Sequence, residues 1–292
     1  ELAAALDDTA GAVRLTWTRY AGQFPFAGYW VLRKVQGLEA VDTLAIADVA
    51  QTSHVDTIAP NTAYEYRLSV VNSAGFEQTS QSVAIAGFSA GPVELAGVET
   101  DPEQGSATLR WSRFPGPRFT AYRVERRTAL QDEYGAIARL AAVGDTIYLD
   151  SGLAPDESYR YRIVVEAAGQ QWASAASGPE GFSLSSVTLL GAAPDSLAGA
   201  IDLTWSRFRG PGFSAYRVAR QQVGSTAQEE IALLPSLGDT TFSDLAALAA
   251  TDYEYTVAGD AAGQTLTGGG LEARLVLPAV RISRLDFTSA SA

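Results

Sequence analysis

The chain has 292 residues, 47% of them hydrophobic and 18% charged, with a formal net charge of −12. That balance belongs to folded globular protein, and the acidic excess, −4 in each third when the chain is cut after residues 91 and 185, speaks against nucleic acid or an anionic membrane as partners. Cysteine is absent and histidine occurs once, which excludes disulfides, thiolate nucleophiles and the usual Cys/His zinc sites, and no apolar run approaches the roughly 18 residues of a membrane-inserted helix.

Along the chain, the first alternating segment is Val13, Leu15 and Trp17, the period of two expected of a strand with one buried face. A Gly/Pro-containing turn with Phe24 and Phe26 follows, then an apolar strand around Trp30. Further on come His54 and Asp56, and a third alternating strand through Tyr64, Tyr66 and Leu68. The same order then returns twice. Trp17, Trp111 and Trp205 stand 94 residues apart, as do His54, Tyr148 and Phe242, and Asp56, Asp150 and Asp244. Around the second and third tryptophans WSRFPGPRFTAYRVERR and WSRFRGPGFSAYRVARQ agree at 12 of 17 positions. Several independent markers in one period define a tandem repeat. No helical periodicity of ten or more residues interrupts it; the nearest stretch, Leu245 to Ala250, is too short.

Short strands within a unit of about 95 residues predict a two-sheet sandwich. With its strand-B tryptophan, its Tyr-x-Val in strand C (Tyr122 and Val124, Tyr216 and Val218) and Ile58-Ala59-Pro60…Tyr64 or Leu153-Ala154-Pro155…Tyr159, each unit resembles a fibronectin type III domain. The resemblance implies that Tyr64 and Tyr159 form the family's tyrosine corner. Ala247-Leu248-Ala249 breaks that motif before Tyr253, which implies a looser third corner. The expected architecture is all-β: three tandem immunoglobulin-like sandwiches over 1–91, 92–185 and 186–279. Val280-Arg281-Ile282 aligns with Val93-Glu94-Leu95 and Val187-Thr188-Leu189, so 280–292 reads as an extra strand, the opening strand of a fourth unit.

Chemical signals are sparse. His54 occupies a position that is aromatic in the other repeats, and packing is the expected role. The acidic clusters Asp7-Asp8, Asp101-Pro102-Glu103 and Glu229-Glu230 lack calcium-loop spacing and read as solvated loops on convex surfaces without a cleft. Asp56, Asp150 and Asp244 are expected at E–F turns, bonding local backbone. Arg19, Arg113 and Arg207 are expected to stack on the neighbouring Tyr20, Phe114 and Phe208. The pairs Phe24/Phe26, Phe114/Phe119 and Phe208/Phe213 are expected to pack over one end of each sandwich.

No enzyme activity and no cofactor or metal is expected. The leading expectation is a structural module of a secreted or cell-surface protein: a spacer, stalk or fibre subunit that associates with itself or with neighbouring domains. An unpaired strand bearing Val280, Ile282, Leu285 and Phe287 is the predicted head-to-tail contact. Two alternatives stand beside it. One is an accessory region of a larger polysaccharide-active enzyme. The other is an adhesion or glycan-binding module, for which Trp30 and Trp172, the tryptophans outside strand B, are the candidate contacts.

Overall fold

A computed structural model describes residues 1–278. The predicted C-terminal strand, with Val280, Ile282, Leu285 and Phe287, lies outside the described residues. Among the described residues there are 23 strands and no helix. Two compact units are formed, one from Glu1–Glu99, Thr108–Leu149 and Tyr159–Glu180, the other from Thr100–Ala107, Asp150–Ser158 and the described residues from Gly181 onward.

Strand pairing repeats three times. In the first repeat β1 (Leu2–Asp7), β2 (Ala12–Trp17) and β5 (Ser53–Thr57) form one sheet in the order β1-β2-β5. Its partner runs β4 (Val41–Ile46), β3 (Phe26–Val35), β6 (Tyr64–Asn72) and β7 (Glu77–Thr79), with β8 (Val83–Ile85) also on β6. In the second, β9 (Leu95–Asp101), β10 (Ser106–Trp111) and β13 (Ile147–Ser151) face β11 (Phe119–Thr128), β12 (Gly135–Leu140), β14 (Tyr159–Ala167) and β15 (Gln170–Ala173). In the third, β16 (Leu189–Asp195), β17 (Ala200–Trp205) and β20 (Thr241–Asp244) face β18 (Phe213–Gln222), β19 (Gln228–Leu234), β21 (Asp252–Ala261), β22 (Gln264–Thr267) and β23 (Leu271–Arg274). The fourth strand of each repeat pairs with the third rather than joining the first sheet. The result is three tandem immunoglobulin-like sandwiches of the fibronectin type III kind.

Their cores rest on one aromatic arrangement. The strand-B tryptophans are 3–6% exposed and meet the fully buried Tyr29, Tyr122 and Tyr216 edge to face, with ring centroids 5.6, 5.6 and 5.7 Å apart. Phe26, Phe119 and Phe213 lie tilted against the same tyrosines, with ring centroids 4.5, 4.6 and 4.7 Å apart. A phenylalanine and a tyrosine three residues apart cannot share one face of a regular strand. A β-bulge between Phe26 and Gly28, Phe119 and Ala121, or Phe213 and Ala215 absorbs the extra residue and turns both rings inward. Each tyrosine hydroxyl then ties two loops. Tyr216 accepts the Phe208 N–H at 2.9 Å and donates to the Leu237 carbonyl at 3.1 Å; Tyr122 does the same with Phe114 and Val143, and Tyr29 with Tyr20 and Val49.

Turns repeat as strictly. Asp195 Oδ1 accepts the N–H groups of Leu197 and Ala198, as Asp7 and Asp101 do two and three residues ahead, and Gly11, Gly105 and Gly199 close these A–B turns at positive φ. Asp7 and Asp101, read from the sequence as solvated loop charges, are therefore turn formers. The Thr9 hydroxyl and the Ala10 N–H hold the Asp7 carboxyl below the usual carboxylate range. Where each sandwich ends, the exiting chain is tied back to the E–F turn: Asn61 N–H donates to the Phe88 carbonyl, Asp156 to Phe182 and Ala250 to Leu275, each at 2.8 Å.

Candidate functional site

Three places hold polar or aromatic groups in a built arrangement: an ionic cluster inside the first and third sandwiches, an open groove on the first, and the outer faces of the larger sheets.

The recurrent aspartates do more than close a turn. Asp244, 3% exposed on β20, takes two hydrogen bonds from Arg220 Nη1 at 3.0 and 2.8 Å and one from the Tyr255 hydroxyl at 2.8 Å. Arg220 belongs to β18 and Tyr255 to β21, so the cluster joins the two sheets, with the guanidinium carbon 5.3 Å from the Tyr253 ring centre. Asp56 repeats it with Arg33 at 3.0 Å and the Tyr66 hydroxyl at 2.6 Å, Arg33 lying 5.7 Å from the Tyr64 ring. Asp150, Arg126 and Tyr161 occupy the same positions in the second sandwich, where Arg126 lies 5.2 Å from Tyr159. The expected bond to local backbone is present at Asp244, which accepts the Ala246 N–H at 3.0 Å, but it is one member of an inter-sheet staple.

This staple sets an alkaline limit. Burial, reinforced by the hydrogen bond to Asp56 or Asp244, pushes the Tyr66 and Tyr255 hydroxyls far above the ordinary tyrosine value. A raised folded-state pKa favours the protonated form, so folding loses no stability from these groups below the unfolded pKa of about 10 and loses it progressively as pH climbs above that value. In a spectrophotometric titration these two tyrosines should remain un-ionised well above pH 10 for as long as the sandwiches stay folded. Tyr66→Phe with Tyr255→Phe should flatten the alkaline loss of stability measured by urea unfolding at pH 10 to 12. Identical slopes for the variant and the parent would contradict this account.

The tyrosine corner is formed in the first sandwich, where Tyr64 Oη accepts the Ala59 N–H at 3.1 Å. In the third, Ala247 is buried in place of the larger Ile58 and Leu153, and no corresponding bond to Tyr253 is found among the described residues.

The groove is a departure from the convex surface expected from sequence. It encloses about 900 Å³ between the start of β1, the B–C loop at Thr18–Phe24 and the β6–β8 hairpin, with Leu2, Tyr20, Leu68, Val70, Ser80 and Val83 among its walls. Phe24 and Phe76, 49% and 65% exposed, stand at its rim with ring centres 5.9 Å apart. This corrects the expected aromatic pairing. Phe114/Phe119 and Phe208/Phe213 do pack together, at 6.2 and 5.7 Å, but in the first sandwich Tyr20 rather than Phe24 partners Phe26, at 5.8 Å.

On the outer faces, Trp30 is 39% exposed on β3, flanked across the strands by Ala45 and Ser69. Arg123 and Arg217 hold its position in the other sandwiches. There they bind acids: Arg123 contacts Glu125 at 2.7 Å and Glu166 at 2.9 Å, and Arg217 contacts Asp260 at 2.7 Å and Glu230 at 2.8 Å. Glu125, buried, also takes Arg162 at 2.6 Å, whose guanidinium carbon lies 4.3 Å from the Tyr134 ring centre. Trp172 is half-buried, stacked on Phe114 at 6.3 Å. The two candidate glycan contacts thus lie on different sheets, and one has a face covered.

His54 is half-buried on β5 opposite Leu15, as Phe242 is opposite Leu203, and among the described residues no group of three metal-ligating side chains is found. Arg19, Arg113 and Arg207 are exposed; the guanidiniums found over rings are those of Arg33, Arg118, Arg126, Arg127, Arg162 and Arg220. The strand-end position faces water, whereas the middle of strand C passes over the corner tyrosines.

No family model matches the chain. Among solved structures, the crystal structure of the chicken CNTN1 FN1–FN3 domains covers 94% of this chain and 97% of its own, at 13% identity and a TM-score of 0.30. The fold assignment rests on the strand order and pairing described above.

Proposed function

We propose that the chain is a non-catalytic structural module of an extracellular or cell-surface protein, a spacer or repeating fibre subunit that joins copies head to tail through residues 280–292. The observation that carries this reading is the joint between the first and second sandwiches. The Asn61 side chain bonds both the N–H and the carbonyl of Ala90, at 3.0 and 2.7 Å. Arg118, from the B–C loop of the second sandwich, donates to the Ile58 carbonyl and lies 5.3 Å from the Phe88 ring centre. Side-chain bonds on both sides of a short connector restrict hinge motion, which suits a part whose work is to hold distance and orientation.

Further along the chain, Leu184 packs against Gly210, Pro211 against Gly105, and Arg209 pairs with Glu103 at 2.9 Å. Deleting residues 280–292 is expected to abolish filaments or higher oligomers in negative-stain images and sedimentation. Unchanged assembly after the deletion would remove the C-terminal strand from this reading.

A second reading has one observation in its favour. Trp30 exposes its ring on a β-sheet face where the other repeats carry paired arginines, and an exposed indole beside polar groups is the usual platform for a sugar ring. Loss of binding to a polysaccharide panel in Trp30→Ala, with Trp172→Ala unaffected, would favour a glycan-binding module.

A further inference from the structure

The larger sheets of the three sandwiches differ most on the side that faces water. Along β11 and β14 of the second, Tyr122, Val124, Tyr161, Ile163 and Val165 are buried, so the residues between them point outward. Those outward positions carry Arg123 and Arg127 on β11, Arg160 and Arg162 on β14, and Arg139 opposite Arg123 on β12, against Glu125 and Glu166. Five arginines against two glutamates give this face a net +3. In the third sandwich the same construction carries Arg217 and Arg274 against Glu230, Asp252, Glu254, Asp260 and Glu272, a net −3. The first is balanced, with Lys34 and Arg67 against Glu65 and Glu77.

Each charged face also holds a pair that its own residues leave uncompensated. Arg127 and Arg160 are directly opposite across β11 and β14. Their guanidiniums reach only carbonyl oxygens, of Gln131 and Asp132 for the first and Ser177 for the second, at 3.1, 3.5 and 3.3 Å. The loop acids Asp132 and Glu133 make no ion pair with them among the described residues. On the third sandwich Glu254 and Glu272 are directly opposite across β21 and β23, both exposed and without a cation among the described residues. Like charges facing each other across strands are destabilising. Arg160 and Glu254 also stand 94 residues apart, so a single place in the repeat is positive in one sandwich and negative in the next.

We propose that the arginine face of the second sandwich docks on the acidic face of the third sandwich of another copy, setting neighbouring chains side by side and one repeat out of step. The contact goes beyond head-to-tail joining and needs nothing from residues 280–292. It brings Arg127 and Arg160 to Glu254 and Glu272 and relieves both like-charge pairs at once. The arginine side is held ready. Arg127 and Arg162 are half-buried, with guanidinium carbons 5.3 and 4.3 Å from the Tyr134 ring centre, and Arg162 is bonded to Glu125, so little side-chain freedom remains to be lost on docking. Strands about 4.8 Å apart and about six residues long give a four-stranded face of roughly 400 Å². That is below the roughly 800 Å² per partner of a standard interface, so one contact is weak and many along a fibre reinforce one another.

Reversing the signs on the full chain tests this by sedimentation at low salt. Arg127→Glu with Arg160→Glu, and Glu254→Arg with Glu272→Arg, should each weaken self-association at least tenfold. Circular dichroism should show both variants folded, because each exchanges one like-charge pair for another. An equimolar mixture of the two should associate again, since the reversed second face of one meets the reversed third face of the other. The fourfold variant, which keeps the parent's net charge, should do so too. In the parent, raising salt from about 50 to about 300 mM should weaken association to a similar degree, and this measurement serves where a variant fails to fold. Association indifferent to the reversals and to salt overturns the inference, as does a loss that the mixture fails to recover. Dextran sulfate bound by a monomeric parent, and released in the arginine double variant, would give the arginine face to a polyanion instead. Deleting residues 280–292 should leave the salt-sensitive pairing in place whatever it does to filaments; pairing lost with the deletion overturns this inference.

Discussion

Asp244→Ala is expected to cost the third sandwich about 3–5 kcal/mol, the usual penalty for removing one partner of a buried ion pair. The reason lies in what stays behind. Arg220, its side chain 12% exposed, would keep only the outer Glu229, and the Tyr255 hydroxyl would lose its acceptor in the core. Against a domain stability of about 5–15 kcal/mol, that loss brings the sandwich near its unfolding limit at ambient temperature. Hydrogen exchange followed by mass spectrometry should show protection falling across β17, β18 and β21 while β2, β3 and β6 keep theirs. Replacing Asp244 and Arg220 together by apolar residues of similar volume should restore most of the loss, because no buried charge is then left unpaired. A double variant as unstable as Asp244→Ala would mean that packing, not the orphaned charge, dominates.

Trp205→Ala should cost a comparable 3–5 kcal/mol, by a different route. The indole is 3% exposed and meets Tyr216 edge to face, so its removal leaves a large cavity between the sheets. Its N–H has no hydrogen-bond acceptor among the described residues, and the same holds for Trp17 and Trp111. The strand-B tryptophan therefore contributes apolar mass and ring geometry rather than a bond. Trp205→Phe should consequently fall well below the alanine value, since it keeps an aromatic edge against Tyr216 and sacrifices no hydrogen bond. Urea unfolding followed by far-ultraviolet circular dichroism separates the cases. Equal losses for phenylalanine and alanine would point to a polar role for the indole.

Much of the fold could be read before any coordinates. Trp17, Trp111 and Trp205 keep one spacing, the strands alternate, and the all-β sandwich follows. What escaped reading did so for definable reasons. The staple joins Asp56 to Arg33 and Tyr66 across two sheets, and the first repeat has one more residue between Trp17 and Tyr29 than the second has between Trp111 and Tyr122. That offset puts Arg33 one residue late, and a separate shortening puts Tyr66 one residue early, 10 positions after Asp56 where Tyr255 stands 11 after Asp244, so both partners of Asp56 fall out of the period that aligns Asp56, Asp150 and Asp244. Asp7, Asp101 and Asp195 do share the period, but the first two look like members of acidic clusters until their backbone donors are seen. The groove was the least legible feature. Its lining comes from four separate stretches, at β1, the B–C loop, β6 and Phe76–Val83, and none of them carries a motif that marks it.

The bond from each E–F turn to the departing chain, at Asn61, Asp156 and Ala250, bears on how the protein carries tension. These residues hold positive φ, at 55°, 60° and 59°, and their N–H groups grip the carbonyls of Phe88, Phe182 and Leu275. A pull on the connector reaches that grip before it reaches the terminal strand. In the first sandwich Asn61 adds two further bonds to Ala90, so the load enters through several parallel links seated on the corner tyrosine. Peeling the last strand away one rung at a time is thereby blocked until the clamp gives way as a whole, and the force at which each sandwich yields is set by a turn rather than by a sheet.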